Sequence, residues 1–125
     1  MTDIEEKLKQ AQQHLAQQEG AQAHDLLISI IQAQPENKAA LLMLGGYYFD
    51  VGKLAEAEMI FEQLVLLEPG TGQFSIALFN TLWKQQRLDE AFEEIRRFLS
   101  VADKTEEQET IKQYVEITRK LAGEG

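Results

Sequence analysis

Residues 44–57 read LGGYYFDVGKLAEA, and two helices meet within them. Leu41, Leu44, Gly45 and Tyr48 are spaced three, one and three apart, the interval at which side chains share one face of an α-helix. Gly52 stands where a glycine can end that helix. A second stripe then begins, carrying Leu54, Ala57, Phe61 and Leu64 until Pro69 stops it. Gly45 and Ala57 are small among large neighbours, so the two helices can approach closely while Tyr48 and Phe61 fill the flanks.

The same pattern recurs on both sides. Ala23, Ala57 and Ala91 stand 34 residues apart, as do Pro35 and Pro69. Four residues beyond each alanine come Leu27, Phe61 and Ile95, and three further on come Ile30, Leu64 and Phe98. A fixed period of this length signals stacked supersecondary units that share one core. The frame predicts units over about 4–37, 38–71 and 72–105, with a capping helix over about 105–122, in one domain of residues 1–125. Seven helices are expected: three antiparallel pairs and the cap, which carries Ile111, Tyr114 and Val115, then Ile117, Thr118 and Leu121. Thr2-x-x-Glu5 and Thr105-x-x-Gln108 read as capping boxes, and Asn37 and Thr71 as N-caps.

Residue identity, spacing and period together make residues 44–57, with Phe61 and Pro69, resemble the tetratricopeptide repeat. The resemblance covers residues 4–105, with the outer units degenerate. Ala11 and His14 take the places of Gly45 and Tyr48 in the first unit, and Phe79 takes the small place in the third. What the resemblance implies is an all-α, right-handed superhelix whose concave face is lined by the first helix of each pair. On that face it places Glu5, Leu8, Gln12 and Leu15, then Ala39, Leu42, Met43, Gly46 and Phe49, then Gln73, Ile76, Ala77, Asn80 and Trp83.

The expected peptide-binding groove is therefore Leu8, Gln12, Leu42, Met43, Gly46, Phe49, Gln73, Ile76, Asn80 and Trp83. Leu8, Leu42, Met43, Phe49, Ile76 and Trp83 make it apolar, they are not required by the repeat's own core, and contiguous apolar surface marks an interaction site. Some members of the family hold a peptide carboxylate with a Lys, Asn and Arg clamp. The matching positions here are Leu8, Gln12, Met43, Gln73 and Ala77, with no cation to pair a carboxylate. The groove suits an apolar peptide or helix instead, in the style of the repeat-built type III secretion chaperones. Trp83 reads either as a binding anchor or as a packing residue against the cap helix. Gly46 lowers helix stability by roughly 1 kcal/mol relative to alanine, either to bare the groove floor or for tight packing. His14 is expected to pack, and His24 to face solvent.

Composition removes other classes of function. There is no cysteine, hence no disulfide or thiolate chemistry. The two histidines are ten apart without a zinc-binding spacing. Gly70-Thr71-Gly72 lacks the Gly-Lys-Ser/Thr of a phosphate loop and reads as an inter-repeat turn. Asp89, Glu90, Glu93 and Glu94 read as a solvated helix face paired in part with Arg87, Arg96 and Arg97. No nucleophile–base pair has a local signature, so no enzyme, cofactor or metal is expected. A net charge of −9 opposes nucleic acid. No window reaches the roughly 18 apolar residues of a membrane span. The amino terminus carries no basic and apolar leader, which points to the cytoplasm. The expected function is a non-enzymatic adaptor or chaperone-like module that binds another polypeptide. The alternative is a structural subunit that self-associates through the same face or the C-terminal helix.

Overall fold

The structure, a computed structural model, describes residues 2–123. Among them are seven helices and no strand: α1 (Asp3–Ala16), α2 (Gly20–Ala33), α3 (Lys38–Asp50), α4 (Leu54–Leu67), α5 (Gly72–Lys84), α6 (Leu88–Val101) and α7 (Gln108–Leu121). The all-α, seven-helix expectation holds. The helices fall into two compact units, Met1–Leu67 and Glu68–Gly125, and the boundary lies just before Pro69.

In the first unit α1 packs with α2, and α3 with α4. The alanines are the hinge of this packing: Ala23 and Ala57 are wholly buried, with Leu27, Ile30 and Leu64 as deep beside them. Gly45 explains why α3 and α4 come so near. A Cβ added to it would lie 2.5 Å from Cε1 of Phe61, well inside contact distance. Gly20 plays a matching part at the start of α2, where a Cβ would meet the Tyr47 ring at 2.4 Å.

Helix entries follow the expected caps in this unit. Thr2 Oγ1 accepts the Glu5 amide at 3.0 Å, and Asn37 Oδ1 accepts the Ala40 amide at 2.9 Å. Each satisfies an amide that the first turn leaves without a helical partner.

The helix exits repeat more faithfully than the residues do. Gln18, Gly52 and Gln86, 34 apart, all have positive φ, at 61°, 83° and 62°. At each, the next amide reaches back five residues: Glu19 to the His14 carbonyl at 2.7 Å, Lys53 to Tyr48 at 2.8 Å, Arg87 to Leu82 at 3.1 Å. This is the Schellman closure, which favours glycine at the left-handed position because a Cβ crowds the following carbonyl there. Glycine was legible once; glutamine does the same work twice.

In the second unit α5 and α6 pair around Ala91, Ile95 and Phe98, all buried, and α7 packs on α5. One expected cap holds in position only, and one is corrected. Thr71 is the N-cap residue of α5, but its hydroxyl donates to Glu68 at 2.7 Å and caps no amide; the Gly72 amide donates to both oxygens of Glu107, at 3.0 and 3.1 Å. A Cβ on Gly72 would lie 2.1 Å from Thr110 Oγ1, so the glycine lets the α7 entry sit against the α5 entry. Thr105 does not open α7. Asp103 Oδ1 accepts the amides of Thr105 and Glu106 at 2.8 and 2.9 Å, which holds its carboxyl below the usual range, and the helix starts after Glu107.

Replacing Gln86 by glycine removes the left-handed strain and is expected to raise stability by about 0.5–1 kcal/mol. Gly52→Ala is expected to lower it by about 1 kcal/mol. Urea melts of the two variants check both signs.

Candidate functional site

In the first unit the expected face is carried by α1 and α3. Gln12 and Glu5 are exposed on α1, and Leu8 and Leu15 half-buried; on α3 Ala39 is exposed and Leu42, Met43, Gly46 and Phe49 are half-buried. Leu8 and Met43 pack against the cluster of Ala11, Leu27, Ile30, Ala40 and Leu44, so they serve the core as well. The expectation that the core does not require them is corrected.

The neighbouring glycines separate cleanly. Gly45 has no room for a Cβ, whereas Gly46 has nothing within 4 Å of where one would stand. Helix propensity disfavours both, and tight packing accounts only for the first. Bare backbone at Gly46 therefore opens outward, between Leu42 and Phe49 of the same helix.

Both histidines lie in this unit and neither is poised as a ligand. His14 Nδ1 sits 3.0 Å from Glu19 Oε1, across the helix exit. His24, expected on the solvent side, is only half-exposed. Its Nε2 lies 2.9 Å from the Tyr48 hydroxyl, and its ring is edge-on to Tyr48 and tilted to Tyr47, at 5.7 and 6.0 Å. Burial, then the Glu56 carboxylate and Tyr47, push the Tyr48 phenol up. Among the described residues no three His, Cys, Asp or Glu side chains gather to hold a metal.

In the second unit Gln73 and Asn80 are exposed on α5, and Ile76 and Ala77 half-buried. Trp83 packs against α5 and α6 and not, as one reading had it, against the cap helix. It stacks on Phe79 at 5.8 Å and meets Phe92 edge-on at 6.5 Å, yet stays 38% exposed. Its open side borders a cleft of about 320 Å³ lined by Phe79, Asn80, Trp83, Ile117, Lys120 and Leu121. Phe79, which takes the place of Gly45 in this pair, is buried with its ring 5.6 Å from that of Tyr114. The bulk of Phe79 is accommodated against α7.

What seats α7, and so the far wall of this cleft, is a buried polar chain. The Tyr114 hydroxyl donates to Ser75 Oγ at 2.7 Å, and Ser75 donates to Glu94 Oε2 at 2.6 Å. Arg97 closes on Glu94 with Nε at 2.7 Å and Nη2 at 2.5 Å, and its Nη1 donates to the Pro69 carbonyl at 2.8 Å. The hydrogen bond to Glu94 raises the Arg97 pKa. Glu94 is thus buried, not solvated as expected, although the pairings Arg87–Glu90 and Arg96–Glu93 hold on the outer face. A buried carboxylate needs such partners, because losing one leaves charge without compensation.

Tyr114 packs edge-on against Phe98 at 5.6 Å, and burial pushes its phenol well above the ordinary tyrosine range. A phenol that keeps its proton longer when folded contributes stability that is complete below the unfolded value of about 10 and fades as pH rises past it. Tyr114→Phe should therefore lose about 1 kcal/mol at pH 8. It should also lose less than the parent protein when the urea melt is repeated at about pH 11.

A tetratricopeptide repeat family model matches residues 14–72. Among solved structures, the first such domain of Spaghetti (RPAP3), bound to the HSP90 peptide SRMEEVD, is 20% identical, with 95% of this chain and 93% of that one covered and a TM-score of 0.75. The Sgt2 domain from Aspergillus fumigatus is 17% identical, covers 99% and 82%, and has a TM-score of 0.73. A mutant O-GlcNAc transferase of Thermobaculum terrenum is 21% identical with a TM-score of 0.69; 80% of this chain aligns, spanning 20% of that enzyme. These likenesses are of fold. Comparison with curated proteins returns no significant match.

Proposed function

We propose, for a chain that belongs to the tetratricopeptide repeat family, a non-enzymatic module that binds an apolar segment of another polypeptide along the first helices of its pairs. In the repeat frame of about 4–37, 38–71 and 72–105 these are α1, α3 and α5, with α7 as cap. The observation that carries the reading is Gly46. It weakens α3 by roughly 1 kcal/mol relative to alanine, yet no neighbour requires its smallness. A bare helix backbone beside Leu42 and Phe49 suits the close approach of another chain. In the second unit, Asn80 and Trp83 at the apolar cleft supply an anchor of the kind that dominates interface energetics.

The ligand chemistry differs from that of a carboxylate clamp. Leu8, Gln12, Met43, Gln73 and Ala77 offer no positive charge at the matching positions. No helix among the described residues is long and apolar enough to cross a membrane, and the acidic balance of the chain disfavours nucleic acid. The setting we propose is the cytoplasm, with a polypeptide partner and no cofactor.

Peptides selected from a displayed random library on the immobilised protein test this. They should be rich in apolar residues, and should bind Trp83→Ala and Gly46→Leu at least about tenfold more weakly, roughly 1.4 kcal/mol. Helical circular dichroism should be unchanged in both. Selected peptides that bind both variants as well as the parent would place recognition elsewhere.

A further inference from the structure

Among the described residues, the most exposed large apolar side chains lie outside the proposed groove, on α4. Leu66 is 81% exposed and Met59 72%. With Ala55 and Glu62 they form one stripe spaced four, three and four, along the side of α4 turned away from Ala57, Phe61 and Leu64. The helix carries Glu56, Glu58 and Glu62 and no lysine or arginine. It is apolar and acidic at once.

A counterpart exists in the second unit. α7 buries Tyr114 and leaves Gln108, Val115 and Arg119 exposed on another side, with half-buried Ile111 among them, spaced three, four and four, and Lys112 beside them. Ile111, Lys112, Val115 and Arg119 also line a broad hollow on this helix. Three cations against two carboxylates make α7 basic within a chain of net charge −9. It is apolar and basic at once. Helices α4 and α7 are both 14 residues long.

We propose that the α4 stripe of one copy docks on the α7 stripe of a second copy. Met59 and Leu66 would then pack against Ile111 and Val115, with the net negative charge of α4 beside the net positive charge of α7. Complementary charge selects the partner face, because α4 against α4 would oppose like charges. Two different surfaces in contact make a heterologous association, which extends head to tail unless a second, reciprocal contact closes it. A single helix-on-helix contact falls below the roughly 1,200 Å² of a standard stable interface, so the association is weak and grows with concentration. It uses neither the groove nor its residues and stands independently of the proposed function.

Sedimentation velocity over a concentration series reads the outcome. The parent protein should self-associate, less so at high salt. Leu66→Glu and Val115→Glu should each be monomeric alone, and a mixture of the two should form one-to-one dimers and nothing larger, because one open face of each kind remains. Both sites are exposed, and circular dichroism checks that the helices persist; if Val115→Glu unfolds, Arg119→Glu replaces it. A parent protein that stays monomeric up to roughly 1 mM overturns the proposal. So does a mixture that stays monomeric, or either variant self-associating like the parent.

Discussion

Everything in this molecule follows from how closely the two helices of a pair can lie. Ala23, Ala57 and Ala91 are each wholly buried, and each sits where its helix meets its partner. A larger side chain at any of them would push the helices apart and expose the residues four and seven places on. Those residues, Leu27 and Ile30, Phe61 and Leu64, Ile95 and Phe98, are the largest part of the cores. Burying each such side chain is worth about 1.5–3 kcal/mol, so losing the approach would cost far more than one contact. Where the first helix also carries a small residue, as at Gly45, the Phe61 ring comes down onto bare backbone. Where it carries Phe79, the extra volume goes toward Tyr114.

That constraint is periodic, and this is why so much of the fold was legible. The alanine spacing, the two prolines and Gly52 mark three helix pairs in the sequence itself. The misreadings share one cause: a residue's chemistry was legible and its neighbours were not. Thr71 and Thr105 have the composition of caps, but the Thr71 hydroxyl turns to Glu68, and the chain after Asp103 winds a turn on that carboxylate so that α7 begins only after Glu107. Glu94 looks like any surface carboxylate; what buries it is Ser75, 19 positions earlier, and Tyr114 beyond. A signal was present in Ser75, which takes the place of Leu41 34 residues on and would be an odd choice for a purely apolar core. Likewise Gln18 and Gln86 stand 34 residues either side of Gly52, so the left-handed exit could have been inferred from register alone.

The candidate site was legible in outline and not in depth. Registry with the repeat placed Gly46, Asn80 and Trp83 on first helices, and the open space at Gly46 and the cleft beside Trp83 came only from the structure. Leu8 and Met43 show the opposite case. A half-buried residue at the edge of a core belongs to the core and to the surface together, and periodicity assigns it to one alone. The result is a contrast between adjacent residues: the Phe61 ring requires the smallness of Gly45, and no neighbour requires that of Gly46. Departures from local consistency that no packing repays are where function is expected to sit.

The most direct measurement is a nuclear magnetic resonance titration of the isotopically labelled protein with a library-selected apolar peptide. The account predicts that the amide of Gly46, the amide of Phe49 and the Trp83 indole shift on addition of the peptide, while the amides of α2, α4 and α6 stay near their free positions. Shifts confined to α2, α4 or α6, with Gly46 and Trp83 unmoved, would contradict it.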